Sequence, residues 1–358
     1  MKALFVLPNL NAGGAERVVT LFAREFVAMG VETDIVLMLD DQVQYDVPEG
    51  VRLVKLNTRD MARKERLHVM RTYFKQEKAK KQKLAVFPFH DSCLKNVLFA
   101  VAGLNIPVVA SERNNPYIQG SDALRRLKAN IPYMLASACV FQTPDARDYY
   151  YPIVRRKGYV IANPLQLQEP LTWCGPEQRS IVSVGRLEPQ KNQSLLIDAF
   201  EMLNRERPEY TLEIFGEGAL RKELQEKIDR KGLSNVIHLR GFDKHVQKRV
   251  SEAALFVLPS DYEGMSNALI EALAMGVPSV STDHPIGGAR WLMQDRSKGV
   301  LTPVGDAKAL YSAMKHVIDN PKEARAMSEN GKILQELLSA SNIACEWLRV
   351  VKEMGNMQ

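Results

Sequence analysis

Apolar residues in this chain fall into two kinds of run. Short, nearly continuous runs bounded by glycine, proline or polar residues alternate with longer stretches in which apolar positions recur every three or four residues. Of the first kind, Ala3 to Leu7, Glu32 to Met38, Arg52 to Leu56, Leu84 to Phe89, Pro107 to Ala110, Ala138 to Phe141 and Gly158 to Ile161 read as strands. Between the first two, Ala15 to Met29 carries Val18, Val19, Phe22 and Phe26 at helical spacing, a crossover that starts a parallel sheet. The stretch from Asn163-Pro164 to Gln178 is polar, rich in Pro and Gln, and has no such period, so it reads as a linker at a domain boundary. A second series follows. Strands are expected at Ser180 to Val184, Thr211 to Phe215, Val236 to Leu239, Leu255 to Leu258 and Ser279 to Ser281. Helices are expected at Gln190 to Arg207, Ala219 to Lys231, Asp243 to Glu252 and Asn267 to Met275, then Ala307 to Ile318, Pro321 to Leu338 and Ile343 to Met354. The pattern predicts an α/β chain of two doubly wound domains in tandem, without a sequence repeat.

A length of 358 residues suits two domains, and 46% hydrophobic with 25% charged residues is ordinary globular composition. Cys93, Cys139, Cys174 and Cys345 lie far apart, without a Cys-x-x-Cys pair or clustered His, so no disulfide framework or metal site is expected. The N-terminal apolar run is too short for a signal peptide, and the stretch Val97 to Ala110 is broken by Asn105 and Pro107, so no membrane span is expected. The net charge of +6 is local. Arg59 to Lys83 holds ten basic residues, Arg63, Arg66, Arg71 and Lys75 among them, against three acidic ones. With Leu67, Met70, Tyr73 and Phe74 between the charges it reads as a basic amphipathic helix, suited to an anionic membrane, a lipid diphosphate or nucleic acid, or else a solvated face.

The chemistry concentrates in Pro259 to Pro278. There Ser266 is placed to N-cap a helix that is apolar on most faces and stops at Gly276 and Pro278, yet Glu271 lies in its middle and Glu263 just ahead of it. A buried carboxylate needs a cation, a donor cluster or a ligand hydroxyl. The N–H groups of Met265, Ser266 and Asn267 sit where a phosphate binds. Phosphate at the helix start and hydroxyls one turn on describe a nucleotide; a core helix whose Glu pairs with a distant Arg is the other reading. In Gly185-Arg186-Leu187-Glu188-Pro189-Gln190-Lys191-Asn192, Lys191 falls near a helix start, where the macrodipole disfavours a cation, so an anion shared with Arg186 is the functional reading and two solvated cations the other. In the first half, the glycine loop Gly13-Gly14 follows the first strand without forming Gly-x-Gly-x-x-Gly. His90-Asp91-Ser92 and Ser111-Glu112-Arg113-Asn114-Asn115 follow later strands, at ends that carry ligand residues in such sheets. His90 also fits a structural role, and Arg113 a salt bridge to Glu112.

Taken in order, these pieces resemble the retaining glycosyltransferases of family 4, which have the GT-B fold. The resemblance rests on Asn11-Ala12-Gly13-Gly14-Ala15-Glu16-Arg17, Asn163-Pro164, Val184 to Asn192, Phe215-Gly216-Glu217-Gly218, Gly241-Phe242, Glu263 to Glu271, and Ser281 to Ala289. It implies two Rossmann-like domains facing a central cleft: an acceptor-side domain, residues 1–164 with 340–358 packed back on it, and a nucleotide-sugar domain, residues 165–339. By position Arg186 and Lys191 match the pair that holds the donor diphosphate, Glu271 the carboxylate on the ribose, and Glu263 the carboxylate at the sugar. Met265, Ser266 and Asn267 match the stretch around phosphates and sugar, and Gly13 and Gly14 the loop that closes over the donor. Either His90 or Arg113 occupies the first-domain position beside the sugar. Glu112, Arg113, Arg63, Arg66, Arg71 and Lys75 fall on the acceptor side.

The nearest flavour is that of bacterial enzymes that build O-antigen, capsule or lipid-linked oligosaccharide. The resemblance implies metal-independent transfer, with retention, from a nucleotide sugar such as UDP-GalNAc to a polyprenyl-diphosphate-linked or glycolipid saccharide. No cofactor and no nucleic-acid partner are expected. Location is expected to be cytoplasmic, peripheral on the inner face of the membrane with its anionic surface. A sugar-nucleotide 2-epimerase and a non-catalytic saccharide-binding module are the alternatives.

Overall fold

Strand β1 (Lys2–Leu7) is buried along its whole length, as a parallel strand covered by helices on both faces must be. The computed structural model describes every residue except Ala12, Asp40, Asn114, residues 120–122, Glu177, Asp295, Arg296 and residues 357–358. Ala12 and Asn114, from motifs quoted above, therefore lie outside the described residues. The chain divides into two units, Met1–Pro164 with Ala340–Gln358, and Leu165–Ser339.

In the first unit β1 pairs in parallel with β2 (Glu32–Leu37) and β4 (Leu84–Pro88), while β3 (Arg52–Lys55) flanks β2. A bridge from Val86 to Val108 carries the parallel order on to β5 (Val109–Ser111), β6 (Ala138–Phe141) and β7 (Gly158–Val160). Helices α1 (Gly14–Ala28), α2 (Arg63–Ala79), α3 (Asp91–Val101) and α4 (Ala123–Leu135) lie between strands. The core is aromatic: Phe5 packs on Phe22, Phe26, Phe87 and Phe89 with ring centroids 5.1–6.4 Å apart. The terminal helix Ala340–Asn356 completes it, because fully buried Trp347 stacks 5.3 Å from Phe89 and 5.4 Å from Phe22. The chain thus closes by returning to the unit in which it began.

At the opposite end of β1, Lys2 is buried between Glu32 (2.8 Å), Asp34 (3.0 Å) and Glu77 (2.9 Å). Arg52 pairs with Asp34 and Glu77, and Lys80 lies 2.9 Å from Glu77. Three cations answer three carboxylates, which is the condition under which such burial is tolerated. Burial by itself raises the Glu77 carboxyl, but hydrogen bonds from Lys80, Arg52 and Lys2 hold it down at about 2.

The second unit holds six parallel strands: β8 (Ser180–Val184), β9 (Thr211–Phe215), β10 (Ile237–Gly241), β11 (Leu255–Leu258), β12 (Ser279–Thr282) and β13 (Val300–Thr302). Their order is β10-β9-β8-β11-β12-β13. That is the doubly wound arrangement, with its switch point between β8 and β11. Strand β13 and the short helix Gly288–Leu292 are absent from the sequence reading, since each is too short to show a period. The expected linker is a correction of another kind. Residues after Pro164 pack on the second unit: the Leu165 N–H donates to Leu338 O (2.6 Å), and the Gln247 side chain joins Gln168 N and Gln166 O. Trp173 is buried, with Nε1 donating to Ala253 O at 2.8 Å.

Because Glu77 is held below the ordinary 4.5, the unfolded chain takes up its proton first as pH falls. Its stabilisation is fully present well above pH 4.5 and is lost as pH falls through about 2. Urea midpoints followed from neutral to acid pH should therefore drop more steeply in the wild type than in Glu77→Gln, with the difference confined to that window.

Candidate functional site

The carboxyl ends of β8 and β11 are neighbours across the switch point, so the loops that leave them meet. After β8 the chain makes a turn at Pro189–Lys191 and reaches Asn192 at φ 41, a left-handed conformation that Asn adopts more readily than most residues. Asn192 Oδ1 then accepts from Leu195 N at 3.1 Å and caps the helix Gln193–Glu206. The helix expected from Gln190 thus begins later, and Lys191 stands ahead of it. Gly216 explains how the β8 loop is confined. Its φ of 132 is open to glycine, and a Cβ there would lie 2.0 Å from the Gly185 carbonyl oxygen.

The two loops are tied by side chains. Lys191 Nζ forms an ion pair with Glu263 Oε1, which also accepts from Ser260 Oγ at 2.7 Å. Gln190 Nε2 donates to Glu263 Oε2 at 3.2 Å and to Tyr262 O at 3.0 Å. Asn192 Nδ2 donates to Asp261 Oδ1 at 2.7 Å, and the Asp261 N–H to Gln190 O at 2.9 Å. Side-chain exposures of 14% for Lys191 and 8% for Glu263 place the pair largely out of water, where each charge needs the other.

The helix Asn267–Ala274 follows, with Glu271 buried in its centre and Ser266 at its N-cap position. The Ser266 hydroxyl makes no capping bond, which corrects the expected cap. Met265 and Ser266 are buried and Asn267 half-buried. The glycine motif after β12 presses on the same loop: a Cβ at Gly288 would lie 2.2 Å from Gly264 O. Arg186 pairs within its own loop. Its side chain is 66% exposed and pairs with Glu188 at 2.9 Å. The sequence reading missed Ser260, Gln190 and His284 around Glu263. His284 is buried, its ring lies 3.1 Å from Pro285 O through Nδ1, and Nε2 has no partner among the described residues. Burial pushes the imidazole below its ordinary value, against the pull of Pro285 O and Glu263, and so keeps it neutral at pH 7. Polar side chains of this kind carry no periodicity, and only the quoted block around His284 marked the place.

The first-unit candidates take different positions. Gly13 is the N-cap of α1 and its carbonyl accepts from Tyr45 Oη at 3.3 Å; Gly14 opens that helix. His90 is exposed and caps α3, with Nδ1 accepting from Ser92 N at 3.2 Å. Glu112 is buried and accepts from Tyr150 Oη (2.5 Å) and Tyr133 Oη (3.0 Å), where a salt bridge to Arg113 is the alternative reading. The Arg113 guanidinium instead donates to Ser111 Oγ and Asn163 Oδ1, each at 2.6 Å, and lies 4.6 Å from the Phe89 ring centre and 5.2 Å from that of Trp347. Burial pushes its pKa down while the Glu112 charge opposes this.

On helix α2, Met70, Tyr73 and Phe74 are buried in the unit and Leu67 is half-buried. Arg66 donates to the carbonyls of Thr58, Arg59 and Met61, and Arg71 to those of Ala100 and Ala102. Arg63 and Lys75 remain exposed. Among the described residues, no group of three or more His, Cys, Asp or Glu is placed to hold a metal ion, and no helix is long and apolar enough to cross a membrane.

Residues 175–333, nearly all of the second unit, match the family described as glycosyl transferases group 1. These residues are therefore similar to a group 1 glycosyltransferase domain. Two relatives from Campylobacter jejuni match the chain almost end to end. One is the GalNAc-α-(1→4)-GalNAc-α-(1→3)-diNAcBac-PP-undecaprenol α-1,4-N-acetyl-D-galactosaminyltransferase, 25% identical over 99% of each chain. The other is the N-acetylgalactosamine-N,N'-diacetylbacillosaminyl-diphospho-undecaprenol 4-α-N-acetylgalactosaminyltransferase, 27% identical over 95% of this chain and 96% of its own. Among solved structures, Anabaena HepE in complex with UDP superimposes with a TM-score of 0.83 at 18% identity, covering 99% of this chain and 100% of its own. The fold is accordingly GT-B. The residues that match the family contain the whole Lys191–Glu263 junction.

The junction can be tested by a double-mutant cycle. Lys191→Met or Glu263→Gln alone should lower the unfolding free energy by about 3 kcal/mol, because each leaves a largely buried charge unanswered, and the double variant by less than the sum. Denaturant unfolding measures all four corners.

Proposed function

We propose that this protein is a glycosyltransferase that moves a sugar from a UDP-sugar donor, such as UDP-GalNAc, to a polyprenyl-diphosphate-linked or other lipid-linked saccharide, with retention of the anomeric configuration and without a metal. The observation that carries the reading is the Lys191–Glu263 junction at the switch point, inside the region that matches the group 1 glycosyltransferases. Doubly wound sheets bind nucleotides at that point. Support for the donor comes from HepE, solved with UDP, and for the acceptor from the two Campylobacter relatives, named for undecaprenyl-diphosphate saccharides.

In this reading the donor diphosphate lies against Lys191, the exposed Arg186 and the start of the helix Asn267–Ala274. Glu271 accepts from the ribose hydroxyls and Glu263 from the sugar. The C1–O bond to the leaving phosphate breaks first, giving an oxocarbenium-like centre. The acceptor oxygen attacks from the face the phosphate leaves, forming the new C1–O bond, and its proton passes to a phosphate oxygen. Cationic groups that meet the phosphate most strongly as charge develops there lower the barrier. First-unit residues Gly13, Gly14 and His90 close over the donor in this scheme, and the enzyme works at the inner membrane face.

The experiment incubates the chain with UDP-GalNAc, UDP-glucose or GDP-mannose, with and without an undecaprenyl-diphosphate disaccharide. Sugar transfer that needs both a UDP-sugar and the acceptor, with an α-linkage by proton NMR, is the expected result. A new sugar nucleotide formed without acceptor would instead mark an epimerase. Arg186→Ala should cut kcat/KM about a hundredfold with the melting temperature unchanged, since its side chain is 66% exposed and its ion pair is to nearby Glu188, in the same loop.

A further inference from the structure

Helix α4 is apolar on both sides. Its inner side buries Ala129, Pro132 and Tyr133. Its outer side presents Leu124, Leu127, Ile131 and Leu135, spaced three, four and four residues apart and hence on one face. Leu124 is 60% and Leu135 67% exposed. Phe99 of α3, 57% exposed, continues the stripe, and a groove of about 430 Å³ runs between the two helices over Leu98, Ile106 and Pro132. A contiguous exposed stripe of this kind marks a surface that is covered in use.

Charge says by what. The rim is cationic: Lys95 of α3, Arg125 and Lys128 of α4, and Arg63 of α2, whose guanidinium lies 5.2 Å from the centre of the Phe99 ring. Among the described residues of α3 and α4 the one acidic side chain is Asp91, and it accepts from Tyr133 Oη at 3.3 Å. An isologous pair of copies would set this rim against itself with only Asp91, already bonded to Tyr133, from these helices to answer it. An anionic bilayer answers it, since lipid phosphates meet the cations while the apolar stripe enters the acyl boundary.

We propose that the α3–α4 face is the membrane-docking surface, with Leu127, Ile131, Leu135 and Phe99 inserted and Arg63, Lys95 and Lys128 on lipid phosphates. This rests on the reading above that the acceptor is lipid-linked, and it moves the apolar part of membrane attachment from α2, whose apolar face is buried, to α4. Helix α2 contributes charge alone.

The test is co-sedimentation of the full chain with phosphatidylcholine vesicles, with and without phosphatidylglycerol. The wild type should sediment with the anionic vesicles and leave them as salt is raised. Leu127→Gln with Ile131→Gln, both at exposed positions, should weaken sedimentation by about tenfold while melting temperature and charge stay the same. Equal sedimentation of this double variant and the wild type overturns the proposal. So does a wild-type dimer in gel filtration that the double variant abolishes, since a second copy then covers the stripe. Transfer to an acceptor with a short, water-soluble tail separates this surface from the enzymatic reading. Full activity of the double variant there, with loss on vesicle-borne acceptor, is expected. If neither protein transfers sugar but the sedimentation difference holds, the enzymatic reading fails and the docking surface stands.

Discussion

One buried ion pair organises the second unit's ligand end. Lys191 and Glu263 come from loops that leave adjacent strands far apart in sequence, and neither charge is tolerable there without the other. Their pairing, with Ser260, Gln190 and Asn192 on either side, sets the distance between the two loops before any ligand arrives. It also sets a condition on binding. Under the proposed function, a diphosphate that takes Lys191 competes with Glu263 for it and leaves that carboxylate to receive a sugar hydroxyl. On that proposal the pair is a clasp in the resting site and two separate tools in the loaded one.

The first unit uses buried charge differently. At the amino ends of β1 and β2, Lys2, Arg52 and Lys80 balance Glu32, Asp34 and Glu77. At the carboxyl ends, the Glu112 carboxylate is held by two tyrosine hydroxyls and the Arg113 guanidinium by amide, hydroxyl and aromatic rings. Arg113 thereby joins β5 to Asn163, at the edge of the unit, and to Trp347 of the returning helix. Its role in positioning the chain's last helix follows from those contacts whatever it meets in a ligand.

Much of this was legible in the residues. Strands such as Thr211–Phe215 and Leu255–Leu258 coincide with their apolar runs, since a strand covered on both faces has no polar position to blur its ends. The alternation of runs was enough for two doubly wound domains and their parallel sheets. The illegible parts depend on partners distant in sequence. Nothing local says that Lys191 meets Glu263 rather than a ligand alone, that Glu112 turns to tyrosines and away from Arg113, or that the Trp173 segment is anchored and not a free linker. Helix α4 escaped for a local reason. Pro132 lies inside it, a residue that ordinarily marks a helix boundary and not a helix interior.

The clasp is tested most directly by calorimetric titration of UDP into the wild type, Lys191→Ala and Glu263→Gln. Lys191→Ala should raise Kd about tenfold or more, whereas Glu263→Gln should bind UDP as tightly as the wild type or more so, because the lysine no longer has a competing carboxylate. Undiminished UDP binding in Lys191→Ala, or a loss in Glu263→Gln as large as that in Lys191→Ala, would contradict the exchange of partners at the switch point.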